Sequence, residues 1–399
     1  MKLITAGFFF FLIINGTIAQ DGIKSNKPHF FIEPEIMAGK VVPNFQHYPP
    51  TDFESSLFLS IGTLNKSPDE HWCAFYNYPS TGISFAFSRL GNEKVFGNEL
   101  KVLPFIVMKT STSPMKSWYF KLGLGFSYFT KYYNAVDNSR DFAIGSHFTW
   151  SFQTFLYHNI CINKSRWLKV GIGYLHASNG HTQLPNFGLN SAMVSIAAQI
   201  FTHPDSVCMA NDKNIALDHT KHYFFQLRTG IGMHEFGSTT GPVGGPKKPV
   251  YADAVCAGII FKQHIKVKAG FGYRFYQHYY DYIVSHREPG YIEHPALSAS
   301  NVFFFTGCEF LIGHIGMDME GGINLYKPFF KRFRQIYEGG SNRDYVLKKT
   351  FLARLGLNYY LFNTNKKPKN NLYIGPTLNA NFGQADFSEI SVGYVHLMK

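Results

Sequence analysis

Ser117–Thr130 reads SWYFKLGLGFSYFT, and its alternation decides the fold. Trp118, Phe120, Leu122, Leu124, Phe126 and Tyr128 share one face, because successive side chains of a strand point to opposite sides. Lys121, Gly123, Gly125 and Ser127 share the other. Aromatic residues at both ends with aliphatic residues between them form the lipid-facing band of a transmembrane β-barrel strand. The pattern recurs downstream. Ile265, Val267, Ala269, Phe271, Tyr273 and Phe275 alternate with Lys266, Lys268 and Arg274. Ile315, Met317 and Met319 alternate with Asp318 and Glu320, and Phe351 to Leu361 alternates with Arg354 and Asn358. A sandwich core would not accept those charges unpaired, so the second face reads as a wet barrel interior.

Composition agrees with an all-β membrane protein. Hydrophobic residues make up 45% of the 399 and charged residues 16%, yet mean hydropathy is only -0.11, so the apolar residues are dispersed. Forty Phe, 24 Tyr and 36 Gly suit a barrel wall with aromatic girdles. Counting the alternating runs predicts a single outer-membrane antiparallel β-barrel of about 14 strands, in a range of roughly 12–16, over residues 20–399. Plausible first strands are Phe30–Val42, Glu54–Leu64, Thr81–Leu90, Glu99–Lys109 and Ser117–Thr130. Before them, MKLITAGFFFFLIINGTIAQ has one lysine, a short apolar run and Thr17-Ile18-Ala19, the pattern of a signal peptide over residues 1–19. The formal net charge of +12 falls by one when Lys2 leaves with it. A basic exported barrel suits an anionic membrane surface or phosphorylated lipid, and excludes nucleic acid as a partner.

Cys73, Cys161, Cys208, Cys256 and Cys308 are scattered, with neither metal-type spacing nor an even disulfide framework. Turns are expected at Asp137–Ser139, Pro204-Asp205, Gly237–Pro249, Pro289-Gly290 and Asn363–Asn371, with longer polar connections at 206–221 and 280–298. Tyr326–Tyr337 breaks the alternation: Phe329, Phe333 and Ile336/Tyr337 recur at helical spacing among Lys and Arg. It reads either as a basic amphipathic helix at the membrane interface or as a solvated loop.

The chemistry sits in Gly171–Ile200, GIGYLHASNGHTQLPNFGLNSAMVSIAAQI. Two alternating arms flank a polar turn, Asn179–Phe187, which reads as a β-hairpin. Ile172, Tyr174, His176 and Ser178 share one face of the first arm, and Asn190, Ala192, Val194 and Ile196 one face of the second. His176 and Ser178, at i and i+2, can therefore meet on an outward apolar wall, and Asn190 on the antiparallel partner can lie beside His176. If Gly171–Ser178 is the seventh strand, its turn is extracellular.

His176-x-Ser178-Asn179 followed by Pro185-Asn186-x-Gly188 and position 190 resembles the signature of the outer-membrane lipid A 3-O-deacylases, the PagL family, over about residues 169–199. The resemblance implies an ester hydrolase with Ser178 as nucleophile, His176 as general base and the Asn186 side chain in the oxyanion hole. It implies lipid A as substrate, outer-membrane lipids as surroundings, and no metal or other cofactor. Two positions depart from it. The family's third catalytic residue, a glutamate fourteen positions after the histidine, is Asn190 here. The glycine expected three residues after the serine as a backbone oxyanion donor is His181, with Gly180 one place earlier. An asparagine carbonyl can orient an imidazole but supplies no charge to stabilise the imidazolium. Glu235 and Asp218 are the nearest candidates in sequence for a substitute acid. The alternatives are a phospholipase-type esterase with the same dyad, and a non-enzymatic barrel, channel or lipid-binding protein, that keeps the hairpin without the activity. Oligomeric state is left open.

Overall fold

The computed structural model describes residues 29–65, 71–110, 118–163, 165–202, 220–337 and 341–398. The expected signal peptide and Cys208 lie outside them. Among the described residues sixteen antiparallel strands form two closed barrels of eight rather than one barrel of about 14. The first comprises β1 His29–Val41, β2 Glu54–Leu64, β3 Ser80–Arg89, β4 Asn98–Lys109, β5 Trp118–Phe129, β6 Phe148–Asn163, β7 Arg166–Ser178 and β8 Leu189–Phe201. It closes where β8 pairs back to β1, with Ile196 opposite Ile36. The second comprises β9 Lys221–Glu235, β10 Lys247–Phe261, β11 Ile265–Tyr276, β12 Ser300–Ile312, β13 Ile315–Tyr326, β14 Phe351–Tyr360, β15 Asn370–Asn381 and β16 Gln384–Leu397. It closes by β16 on β9, with Ile390 opposite Ile231. The expected strands match observed ones to within a residue or so. The miscount lies in closure: alternation fixes which face a side chain takes, but not which strand the eighth returns to.

Eight strands leave an interior only as wide as the side chains that fill it. The charges read as lining a wet interior are accordingly buried and paired. In the first barrel Lys169 Nζ lies 2.8 Å from Glu33, Lys121 reaches Glu33 and Glu35, and Tyr157 donates to Glu35. In the second, Arg228 forks onto Glu320 while Lys268 meets Asp318 at 2.8 Å and Glu320 at 2.7 Å. Arg354 meets Asp318 at 2.9 Å, Lys266 meets Glu309 at 2.9 Å, and Arg274 lies 3.8 Å from Asp386. Opposite charges in such a space offset one another's desolvation, which neither could bear alone. The paired Gly171 and Gly173 face inward, where the rings of Tyr157 and Phe155 lie across them and occupy the space a Cβ would need. Their role is close packing, as expected for strand-wall glycines.

The outer walls are apolar and exposed, as the alternation predicts: Ile36, Leu57, Phe126, Ile172, Val194, Phe271 and Ile390 all face outward. Among the described residues no helix is long and apolar enough to cross a membrane. The barrel mouths differ. The first is closed by the loops after β1, β3 and β5, which pack Val95, Phe96, Ala143 and Ile144 over Val41, Phe129 and Ala177. The second is covered by short helices, α2 Gln277–His286, α3 Pro295–Ser298, α4 Phe330–Tyr337 and α5 Asn342–Thr350 (α1, His71–Phe75, lies between β2 and β3). The basic aromatic stretch at 326–337 is thus helical, but its apolar face is not spread on a membrane interface. Phe329, Phe330 and Phe333 pack into the barrel mouth against Tyr276, Tyr279 and Phe387. A partly apolar helix gains more by covering that aromatic floor than by lying in lipid headgroups. The 280–298 connection is likewise largely α2 and α3. Cys161, Cys256 and Cys308 are free thiols, and Cys73 is buried.

Candidate active site

The hairpin β7–β8 places His176 and Asn190 as direct cross-strand partners. Both carry outward parity, so their side chains meet on the lipid-facing wall. His176 Nδ1 lies 2.7 Å from Asn190 Oδ1, and the Tyr174 hydroxyl donates to the same oxygen at 2.5 Å. A carbonyl oxygen has two lone pairs, and this one uses both. With that carbonyl as acceptor, Nδ1 carries the imidazole proton and Nε2 keeps its lone pair. The bond from the Tyr174 hydroxyl to Asn190 was not foreseen from the sequence. The face that Tyr174 shares with His176 was the available signal.

Ser178 ends β7, opposite Trp150 on β6. The residue is only 6% exposed despite the outward parity, and its hydroxyl makes no hydrogen bond among the described residues. No hydrogen bond joins it to His176. Both lie beside Gly188, which is in the left-handed region at φ +74. A Cβ there would stand 2.8 Å from His176 Cε1 and 3.2 Å from Ser178 Cβ, so the ring edge and the serine share one small space that only glycine leaves open. Gly188 is fixed in turn: its N–H donates to Ala143 O, and its carbonyl accepts from the Asn44 side chain.

The two oxyanion candidates lie in the same turn. Asn186 is buried, and its side-chain carbonyl accepts the Asn179 N–H at 3.0 Å. The amide Nδ2 is therefore the Asn186 group left to donate. Gly180, at φ +65, has no hydrogen-bond partner for its N–H among the described residues. His181 also takes a left-handed conformation, and its Nε2 lies 3.2 Å from Gly237 O.

The substitute acids are not brought to His176. Glu235 is buried with both oxygens engaged elsewhere: Leu184 N–H donates to one at 2.8 Å and Gly245 N–H to the other at 2.7 Å. Asp218 lies outside the described residues. Asn190 is the group on the far nitrogen of His176.

Around the triad the wall is open and greasy. Ile172 is 62% exposed, Val194 58% and Ile196 60%. Lys40 stands on the same outward face, on β1 beside Ala192, which is itself opposite Tyr174. It is exposed and has no carboxylate partner among the described residues. A shallow apolar hollow of about 630 Å³ on the second barrel, lined by Leu227, Val255, Phe271 and Val392, contains none of these residues. Among the described residues no three His, Cys, Asp or Glu side chains gather as a metal-binding set.

Residues 61–199 match the family model described as lipid A 3-O-deacylase (PagL). The match takes in seven strands of the first barrel and none of the second. Among solved structures, the outer membrane enzyme PagL is 13% identical, covering 41% of this chain and 97% of its own, with a TM-score of 0.31. An outer membrane channel from Pseudomonas putida F1 is 8% identical over 93% of this chain and 95% of its own, TM-score 0.20. The channel DcaP of Acinetobacter baumannii is 10% identical over 95% and 100%, TM-score 0.19. No curated protein matches the chain significantly.

Proposed function

We propose that the first barrel is an outer-membrane esterase that hydrolyses an ester-linked acyl chain of lipid A, of the 3-O-deacylation type. The observation that carries this reading is the His176–Asn190 bond on the lipid-facing wall, with Ser178 sharing the Gly188 niche, inside the segment that matches the deacylase family.

In this mechanism the acyl chain lies along Ile172, Val194 and Ile196, so that its ester carbonyl reaches Ser178 laterally from the outer leaflet. Lys40 meets a phosphate oxygen of the same lipid. Ser178 Oγ attacks the carbonyl carbon as His176 Nε2 takes its proton. The carbonyl π electrons move to oxygen, where Asn186 Nδ2 and the Gly180 N–H donate to the developing charge. Collapse expels the sugar alkoxide, which takes the proton from Nε2. Water, deprotonated by the same nitrogen, then attacks the acyl-serine; collapse releases the fatty acid, and Nε2 returns the proton to the departing Ser178 Oγ. Serine and histidine stand close without a hydrogen bond between them, and catalytic hydrogen bonds of this kind tighten in the Michaelis complex. Asn190 fixes the tautomer but offers the imidazolium no charge; in serine proteases an Asp→Asn change at this role costs ~10⁴ in rate. A slow enzyme follows.

The test is lipid A mass spectrometry after incubation with purified protein in detergent. Loss of one 3-hydroxyacyl chain with wild type and not with Ser178→Ala supports the reading; unchanged lipid A with folded wild type sinks it. Asn190 in place of an acid favours a second reading, a non-enzymatic barrel that retains the hairpin. Lipid A binding that is insensitive to Ser178→Ala, with no acyl release, would favour it. A glycerophospholipid panel separates a broader esterase from both.

A further inference from the structure

We infer that the second barrel is a working part of the site, with Ser388 and Glu235 as positioning residues that hold the turn carrying Ser178 and the oxyanion donors. The inference rests on reading Ser178 as the nucleophile, and it assigns a role to the half of the chain that the family match does not reach.

The turn 179–188 is anchored from two sides. Its last residues belong to the first barrel: Phe187 N–H donates to Phe142 O and Gly188 N–H to Ala143 O. The stretch from Asn179 to Asn186 is held from the second. The Trp150 indole, cross-strand to Ser178, donates to Ser388 Oγ at 2.8 Å, and that hydroxyl in turn faces Asn179 O at 3.4 Å. A Cβ on Gly180 would collide with Ser388 Oγ and, at 2.6 Å, with Leu378 Cδ1, so the turn abuts β15 and β16 directly. The His181 ring stacks on that of His234 at 5.1 Å between centroids, 16° from parallel. The Glu235 carboxylate clamps the Leu184 N–H to Gly245 N–H, and Thr239 O accepts the Asn186 N–H at 3.0 Å. Asn186 thus has its backbone on the second barrel and its side-chain carbonyl on Asn179.

Within the turn, Asn179 supplies the main internal ties, to Gln183 O and from Thr182. Those ties shape the turn without fixing it against the strands. Oxyanion donors must be held to within about 0.5 Å of their productive position, and a misplacement of ~1 Å can cost ~10² in rate. A charge-assisted bond from a buried carboxylate to a loop N–H is a strong anchor of that kind. Ser388 adds a bridge between the residue after the nucleophile and the strand beside it. Both anchors act through the turn and neither touches the acyl ester.

The experiment uses the full chain as Ser388→Ala, Ser388→Thr and Glu235→Gln. Acyl release from lipid A is read as kcat and KM, and hydrogen exchange is followed over residues 178–186. Glu235→Gln keeps the volume but turns an N–H donor toward a backbone N–H. In Ser388→Ala and Glu235→Gln we expect kcat to fall about tenfold or more with KM unchanged, and exchange across the turn to rise while β1–β8 stay protected. Ser388→Thr, which keeps the hydroxyl, restores the wild-type values. Wild-type kcat in both disruptive variants, unchanged exchange in the turn, or a rise in KM alone would each overturn the inference. If the wild type itself releases no acyl chain, the proposed function falls, and the exchange measurement still decides whether the second barrel orders the turn.

Discussion

The last hairpin of each barrel is built on the same plan, and only the first carries the proposed catalytic residues. In the first, β7 and β8 are joined by the turn 179–188, and the outward residues next to it are His176, Ser178 and Asn190. In the second, β15 and β16 are joined by a tight turn through Phe382 and Gly383, both left-handed, and the outward residues next to it are Leu378, Ala380 and Ser388. Both hairpins sit over interiors filled with paired charges. What separates them is a handful of side chains and a loop long enough to fold back over the strand ends. Barrel closure is a scaffold property, and the proposed catalytic residues stand on one copy of it.

The largest difference expected between the hairpins is in acyl release. Ser178→Ala should lower it by about 10³-fold or more, while Ala380→Ser should create no activity in the second barrel. Matched glycine substitutions sharpen the contrast. Gly188→Ala forces a Cβ between His176 and Ser178 and should cost about 10²-fold in kcat. Gly383→Ala, equally left-handed at φ +81 but with nothing within 4 Å of its Cβ, should cost only about 1 kcal/mol of stability and leave turnover alone. Steady-state rates and thermal melts of the pair measure both.

Asn190→Glu supplies the missing charge behind His176. It should raise kcat about tenfold if the neutral orienter limits the rate, and a fall would show that Tyr174 and Asn190 are already the better arrangement. Lys40→Ala should raise KM about threefold, more at low salt, because an exposed ion pair contributes ~0.2–1 kcal/mol.

The smallest effect separates the mouths. Asp141, in the loop after β5 at the first barrel's mouth, is buried with one oxygen accepting the Ile144 N–H and the other without a partner. Burial pushes its carboxyl up from 3.8 to about 8. A carboxyl that holds its proton longer in the folded state than in the unfolded one makes stability greatest below about pH 4 and lower as pH rises toward 8. Asp141→Asn should flatten that slope in melts of the full chain between those values. An unchanged slope would show that another group sets it.

Much of the site was legible before the fold. The parity of His176, Ser178 and Asn190 follows from strand geometry, and so does the exposure of Ile172, Val194 and Ile196. The role of Gly188 did not, because a left-handed glycine between two side chains is visible only once the turn is folded. Nor did Glu235, whose sequence position made it a candidate acid while its oxygens hold two loop N–H groups. Ser388 and Trp150 are distant in the chain and carried no local signal.

The sequence by itself determined the strands, their inward and outward faces and the hairpin with its polar triplet, because alternation and turn chemistry act over a few residues. Only the tertiary structure decided that β8 returns to β1, that the charges pair in two filled interiors, and that the second barrel backs the turn beside Ser178. Those are hydrogen bonds and contacts between residues far apart in the chain, which no local period records.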